Sequence, residues 1–369
     1  MNYSVNNNVV FKGYDAIKLK GLYMQGLTST PEKRIFSEMK QIADMEGLDL
    51  FINQNNKQIS RNISDDIQKD VMLSIWGQDR KAFVKKAGIP VILWKSEETF
   101  LNDEARKLLG DYSVEVAKAF PRGGNYYIGY KDNGEKWLLI NSIDIYDEDT
   151  YKRWGDLPTK KMLPEMFDIK PENIYYFNEF FRDLDESIRP IGYPYVLIND
   201  YNETAKNIAK LEKEFPNSPI ITRLKKYMQT NIDDYLEAKI KTLQDHGFMP
   251  IRIGALYENS INFINALTFK NNNDKISYIT NSTKGSYPEL EYLEHLFEED
   301  LRRNVPTIEH VYFVSGSEQE KKPRNYLAGF GIDLSNGFPN DNAIMDILAN
   351  RYGGIHCMTA EIPDFSMYI

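Results

Sequence analysis

The residues best suited to chemistry lie in three short segments far apart in the chain. The only cysteine, Cys357, sits in Gly353-Gly354-Ile355-His356-Cys357-Met358-Thr359. A thiolate is a strong nucleophile, and flanking glycines permit close backbone approach to a small substrate. Taken alone, a single cysteine reads equally as a small buried hydrophobe. Asp79 ends Trp76-Gly77-Gln78-Asp79, just after the apolar stretch Asp70 to Ile75. It is placed either to face a ligand or to form a turn. Asp183 and Asp185 lie in Arg182-Asp183-Leu184-Asp185-Glu186, and a spacing of two puts both on one face of a strand. The alternative is an acidic surface loop. Together, a thiol and several carboxylates suit guanidine chemistry. Carboxylates hold a planar guanidinium through charge-assisted hydrogen bonds, and a thiolate attacks its electron-poor carbon. The 4 histidines, at 246, 295, 310 and 356, show no metal-ligand spacing and there is no second cysteine, so no metal or other cofactor is expected.

The bulk composition narrows the classes. With 42% hydrophobic and 27% charged residues, the balance is that of a globular protein, and 13% aromatic content argues against disorder. A net charge of -9 argues against a nucleic-acid partner and suits a cationic substrate. A lone cysteine gives no internal disulfide, so no oxidising compartment is implied. Met1 to Asn8 shows no basic-then-apolar leader. Apolar runs such as Pro90 to Trp94 are far too short to cross a bilayer. The expectation is a soluble, cytoplasmic protein with no membrane partner; composition is silent on its oligomeric state.

The elements that must position these residues follow from periodicity. Residues 1 to about 30 read as an irregular lead-in, and residues 31 to 46 as an amphipathic helix stopped by Gly47. Leu48 to Ile52 and Ile89 to Trp94 read as strands, and Glu104 to Phe120 as helical. Tyr126 to Tyr130 and Trp137 to Asn141 form a hairpin over Asn133-Gly134. The Gly123-Gly124 pair ahead of it lacks the Lys-Ser/Thr pair and helix of a phosphate loop. Strands are expected at Tyr195 to Ile198, Pro250 to Leu256, Ser260 to Phe269, Lys275 to Thr280, His310 to Val314 and Tyr326 to Leu334. Helices are expected at 203 to 213, 231 to 245, 290 to 303 and 342 to 352. Two strands, a helix and a strand recur, which suggests a repeat architecture within one α/β domain spanning 1-369, since no low-complexity linker divides it.

Several segments resemble those of peptidylarginine deiminases, in the order that family has them. Trp76-Gly77-Gln78-Asp79 is similar to a Trp-x-Gln-Asp segment and Asp183-Leu184-Asp185-Glu186 to a His-x-Asp-Glu segment. Asn259-Ser260-Ile261-Asn262 is similar to an Asn-x-x-Asn segment and His356-Cys357-Met358-Thr359 to a His-Cys-x-Thr segment. Gly123-Gly124-Asn125 resembles a loop found across the wider guanidine-modifying (pentein) superfamily, which includes arginine and agmatine deiminases and amidinotransferases. The resemblance implies a five-bladed pseudo-symmetric α/β propeller of strand-strand-helix-strand units. It implies a hydrolase converting an arginine-type guanidinium to a ureido group (citrulline) with loss of ammonia, through a covalent Cys357 adduct. Asp79 and Asp185 would clamp the guanidinium. Gly123, Gly124, Asn125 and Asn259 would shape the substrate site.

The departure is Asp183, which stands where the family has its acid-base histidine. An ordinary aspartate does not donate a proton at neutral pH. Either crowding by Asp79 and Asp185 in a poorly solvated cleft keeps it protonated, or the site binds an arginine-like ligand or protein without deiminase turnover; amidino transfer is a third course. His356 is expected to point away from Cys357, as neighbours on an extended segment do. Arg122, ahead of the glycine pair, either grips a substrate carboxylate or carbonyl or stands exposed on a loop. Trp76 either stacks on the guanidinium or packs in the core. An arginine-containing small molecule or protein is the expected partner.

Overall fold

The computed structural model describes residues 17–26, 30–54, 81–94, 113–117, 119–131, 133–179, 183–230, 234–258, 261–317, 344 and 354–367. Its strands are β1 (Leu19–Gly26), β2 (Asp49–Gln54), β3 (Lys81–Lys86), β4 (Ile89–Trp94), β5 (Ser113–Val116), β6 (Tyr126–Tyr130), β7 (Lys136–Asn141), β8 (Ile174–Phe177), β9 (Ile188–Gly192), β10 (Tyr195–Asn199), β11 (Met249–Ile253), β12 (Tyr257–Glu258), β13 (Ile261–Asn262), β14 (Leu267–Lys270), β15 (Ile276–Asn281), β16 (Ile308–Val314) and β17 (Thr359–Pro363).

Fifteen of these strands form five three-stranded sheets, β17-β1-β2, β3-β4-β5, β6-β7-β8, β9-β10-β11 and β14-β15-β16. All five share one plan: the central strand runs antiparallel to the first neighbour and parallel to the second. A parallel return needs a long crossover, and among the described residues helices lie on that path in four of the five sheets. Thr30–Glu46 joins β1 to β2, Glu148–Trp154 and Leu163–Phe167 lie between β7 and β8, and Pro288–Asn304 joins β15 to β16. Tyr201–Glu214, Pro219–Thr230 and Leu236–Asp245 lie between β10 and β11.

The central strands are buried on both faces, which explains their continuous apolar runs. Leu138, Leu139 and Ile140 of β7 are wholly buried, as are Val196 and Leu197 of β10. The helix Pro288–Asn304 turns Leu290, Leu293, Leu296, Phe297 and Leu301 inward, and Phe297 stacks on Phe263 at 5.0 Å between centroids. Each such side chain stabilises the packed helix by roughly 1.5–3 kcal/mol. No helix among the described residues is long and apolar enough to cross a membrane.

Several expectations need correction. The expected lead-in contains β1, the central strand of the first sheet. Its partners come from residues 49–54 and 359–363, so local periodicity had nothing to register. The region read as helical from Glu104 to Phe120 carries β5 at its described positions 113–116. The expected long strand from Ser260 breaks into β13 and β14, because Asn262 caps the backbone of Ile264 and Asn265 between them. A helix, Pro219–Thr230, stands between the two expected at 203–213 and 231–245, and the second of those starts at Leu236. Residues 70–79, the strand expected at 326–334 and, except Ile344, the helix expected at 342–352 lie outside the described residues.

Candidate active site

In every sheet with a described entry, a short turn leads into the strand antiparallel to the centre, and four of these turns meet. They are the 3-10 turn Gly123–Asn125 before β6, the 3-10 turn Leu184–Glu186 before β9, the loop 263–266 before β14, and the helical turn Ile355–Met358 before β17. The antiparallel pairing places each entry beside the end of a central strand, and in three of the four an asparagine stands there: Asn141, Asn199 and Asn281; β1 ends in Gly26 instead. Asn141 donates to Asn125 Oδ1 at 2.9 Å and to the Glu179 carbonyl at 3.1 Å. Asn281 donates to the Asn262 and Asn265 carbonyls at 2.6 and 3.1 Å and accepts from the Ile355 N–H at 2.8 Å. Gly354 is required here: a Cβ on it would lie 2.5 Å from Asn281 Nδ2.

Asp185 is the hub. It is fully buried, and its Oδ2 accepts from Asn265 Nδ2 at 2.8 Å, from the Cys357 thiol at 3.0 Å, and contacts His356 Nδ1 at 2.7 Å. Its Oδ1 is buried and has no hydrogen-bond partner among the described residues. That oxygen faces Gly124, where a Cβ would lie 2.8 Å away. Burial pushes the Asp185 carboxyl up to about 6, against the thiol, Arg189 and Asn265, which pull it down. Cys357 is half-buried, and burial together with the neighbouring Asp185 carboxylate raises its thiol well above the usual range. Asn265 Nδ2 also donates to Cys357 Sγ at 3.2 Å, while its Oδ1 accepts from the His356 N–H at 3.1 Å.

Asp183 is set apart from this hub. The segment 183–186 enters a 3-10 turn instead of a strand, so the two aspartates do not pair along one face. Asp183 keeps 35% of its side chain exposed, accepts from Asn125 Nδ2 at 2.6 Å and lies 3.6 Å from Arg122. Burial and Asp185 raise its pKa; Arg122 and Asn125 pull it back. Arg122 grips a carboxylate, but one of the protein: its Nε and Nη2 donate to Asp144 Oδ1 at 2.8 and 2.6 Å, and its backbone N–H to Asp144 Oδ2 at 2.6 Å.

The expectation for His356 is overturned. It and Cys357 belong to a helical turn, and both reach the same Asp185 oxygen. Burial and the nearby Arg189 push the imidazole well below its ordinary pKa, which favours its neutral form. Trp76, Asp79 and Asn259 lie outside the described residues. The structure therefore brings together Cys357, Asp185, Asp183, Gly124 and Asn125, with Gly123 and Arg122 beside them. Asn265, Asn281 and Asp144 were not singled out from sequence. The signals were an overlapping Asn-x-x-Asn frame, Asn262-Phe263-Ile264-Asn265, and the recurrent strand endings Ile140-Asn141, Ile198-Asn199 and Thr280-Asn281. Among the described residues no group of three or more His, Cys, Asp or Glu side chains is arranged to hold a metal ion.

No family model matches this chain, and no curated protein is similar to it in sequence. Solved structures nonetheless share its fold, agmatine deiminases among them. One is a serine variant of C. jejuni agmatine deiminase with substrate bound, at a TM-score of 0.50 and 12% identity over 96% of each chain. Another is the agmatine deiminase of Enterococcus faecalis, at a TM-score of 0.50 and 10% identity, covering 95% of this chain and 94% of that one. DDAH from Pseudomonas aeruginosa, complexed with citrulline, matches with a TM-score of 0.41 and 8% identity over 94% of this chain and 100% of that chain.

Proposed function

We propose that this chain is a guanidine-modifying hydrolase of the deiminase type, its five sheets standing as blades around one axis in a single domain. The observation that carries the reading is the loading of Asp185. One oxygen is saturated by neutral donors and the thiol, while the other is buried, unpartnered among the described residues and aimed across Gly124. A buried carboxylate oxygen without a donor is costly, and an N–H of a guanidinium supplies both the hydrogen bond and the compensating charge. Asp79 stands two residues before β3, as the other turns precede their strands, and we assign it the second clamp on the guanidinium.

In this reading Cys357 is the nucleophile and Asp185 Oδ2 accepts its proton. Alone, the thiol is held protonated by its burial and by the carboxylate beside it. The arriving cation offsets that negative charge and favours the thiolate. Sulfur adds to the guanidinium carbon. The C–N bond breaks with proton delivery from Asp183, which leaves ammonia and a Cys357 thiouronium. Water then adds to that carbon and gives one proton to the ionised Asp183 and the other to solvent; the sulfur departs and takes its proton back from Asp185, which leaves the ureido product and the free thiol.

The test is ammonia release with parallel detection of ureido product from arginine, agmatine and an arginine-containing peptide, between about pH 5 and pH 9. The expected result is turnover with one of these classes that disappears in Cys357→Ala. Turnover unchanged in Cys357→Ala excludes the covalent route. A folded protein inert toward all three leaves a binding role or amidino transfer to an amine acceptor.

A further inference from the structure

We propose that Arg189 is a positioning residue: it brackets the three strands that leave Cys357, Asp185 and Asn265 and so fixes how those groups meet. Arg189 follows Asp185 by four positions and lies on β9; Glu361 follows Cys357 by four positions and lies on β17. Thr268, on β14, follows Asn265 by three. Arg189 Nη2 donates to Glu361 Oε1, and its Nε donates to Thr268 Oγ1 at 3.0 Å. Thr268 in turn donates to the Pro190 carbonyl at 2.8 Å, closing the bracket back onto β9. One planar guanidinium thus ties together three sheets immediately downstream of the turns that converge on the thiol.

Two of the three guanidinium nitrogens are engaged by protein groups, and the third, Nη1, is buried without a hydrogen-bond partner among the described residues. Arg189 is 2% exposed and engages protein groups from two other sheets. It also reaches the site through Tyr127, whose ring lies 5.2 Å from the guanidinium carbon and 5.4 Å from the His356 ring. The Tyr127 hydroxyl donates to the Ile188 carbonyl at 2.9 Å, which keeps that ring against β9. A lysine could carry the charge but not the fork, since its ammonium is a point charge. The charged or titratable groups around the thiol are then Asp185, Asp183 and His356, with Arg189, Glu361 and Tyr127 behind them.

The inference rests on Cys357 being the reacting thiol, and its test needs no guanidine substrate. The rate of Cys357 alkylation by iodoacetamide is measured against pH in the full chain, with circular dichroism and thermal melting to verify folding. Removing the bracket without leaving a buried charge, in Arg189→Met with Glu361→Leu, loosens the thiol from the Asp185 carboxylate that raises its pKa. The inflection moves to lower pH, and alkylation at neutral pH rises by about tenfold, as a one-unit fall in thiol pKa gives. Arg189→Lys shifts the profile in the same direction by less. Glu361→Gln keeps the side-chain shape, and there too the inflection moves down. A role limited to stability lowers the melting temperature and leaves the profile superimposable after scaling; superimposable profiles in folded Glu361→Gln and in the double variant overturn the proposal. Failure of every guanidine substrate, with these shifts present, would instead count against the deiminase reading alone.

Discussion

Asp183 and Asp185 are two residues apart and share a side chain, yet they stand in opposite surroundings. Asp185 has no exposure and is oriented by an amide, an imidazole and a thiol, while the cation near it, Arg189, is bonded to Glu361 and Thr268 instead. Asp183 is about one-third exposed and lies beside Arg122, a permanent cation itself committed to Asp144. Neutral donors hold a carboxylate in place while leaving its charge for an incoming cation. A neighbouring guanidinium partly answers that charge beforehand. The inner half of the site is therefore built to attract and the outer half to balance.

The largest effect is expected from breaking the inner half at its sulfur. Cys357→Ser should lower ammonia release by at least about a thousandfold, because the hydroxyl forms no comparable anion at neutral pH. Retained turnover would remove the thiol from the mechanism. Asp185→Asn should come next, lowering turnover by about a hundredfold or more. It also carries a sign on stability. The native carboxyl, near 6, sits above its unfolded value of roughly 3.9, so the fold binds the proton more tightly and loses stability as pH rises through that window. By this linkage the ionised Asp185 costs about 3 kcal/mol above pH ~6. The inactive Asp185→Asn protein should accordingly melt higher than the wild type at pH ~8 and match it near pH ~4. Equal melting at the higher pH would contradict the burial assigned to this group.

The outer half yields smaller changes. Asp183→His is expected to keep or raise ammonia release, within about tenfold, since histidine both donates and accepts near neutrality. Its loss of activity would show that Asp183 has a task histidine cannot perform. Arg122→Gln removes a cation that pulls the Asp183 pKa down. The protonated form then persists to higher pH, and the basic limb of the pH–rate profile moves upward by less than about one unit. A limb that stays in place would take Asp183 out of the proton-donor role.

How far the sequence revealed all this depended on distance. The helix over 31–46, the hairpin over 126–141 and the helix near 290–303 announce themselves through apolar spacing and turn residues close together. Cys357 and Asp185 stood out because their residue types carry chemistry. Their contact spans 172 positions, and that of Asn265 with Cys357 spans 92, which no local pattern encodes. Asn265 was missed for a further reason: asparagines at 259, 262 and 265 make two overlapping frames, and only the fold shows which one touches the thiol. The contrast between the aspartates is equally hidden, because a spacing of two implies strand alternation where Asn125 in fact receives the Leu184 N–H and the chain turns.

The sheet that seats Cys357 pairs β1 with β17, joining residues 19–26 to residues 359–363. Bringing such remote segments together closes the longest loop among the paired strands of the described residues, and the conformational entropy of that closure favours its formation after the local hairpins. An intermediate with the other four sheets formed would thus hold Asp185 and Asn265 without the sulfur between them. The appearance of an ordered, carboxylate-bonded thiol would mark the last step of folding, so that this cluster of side chains and the fold are completed as one event.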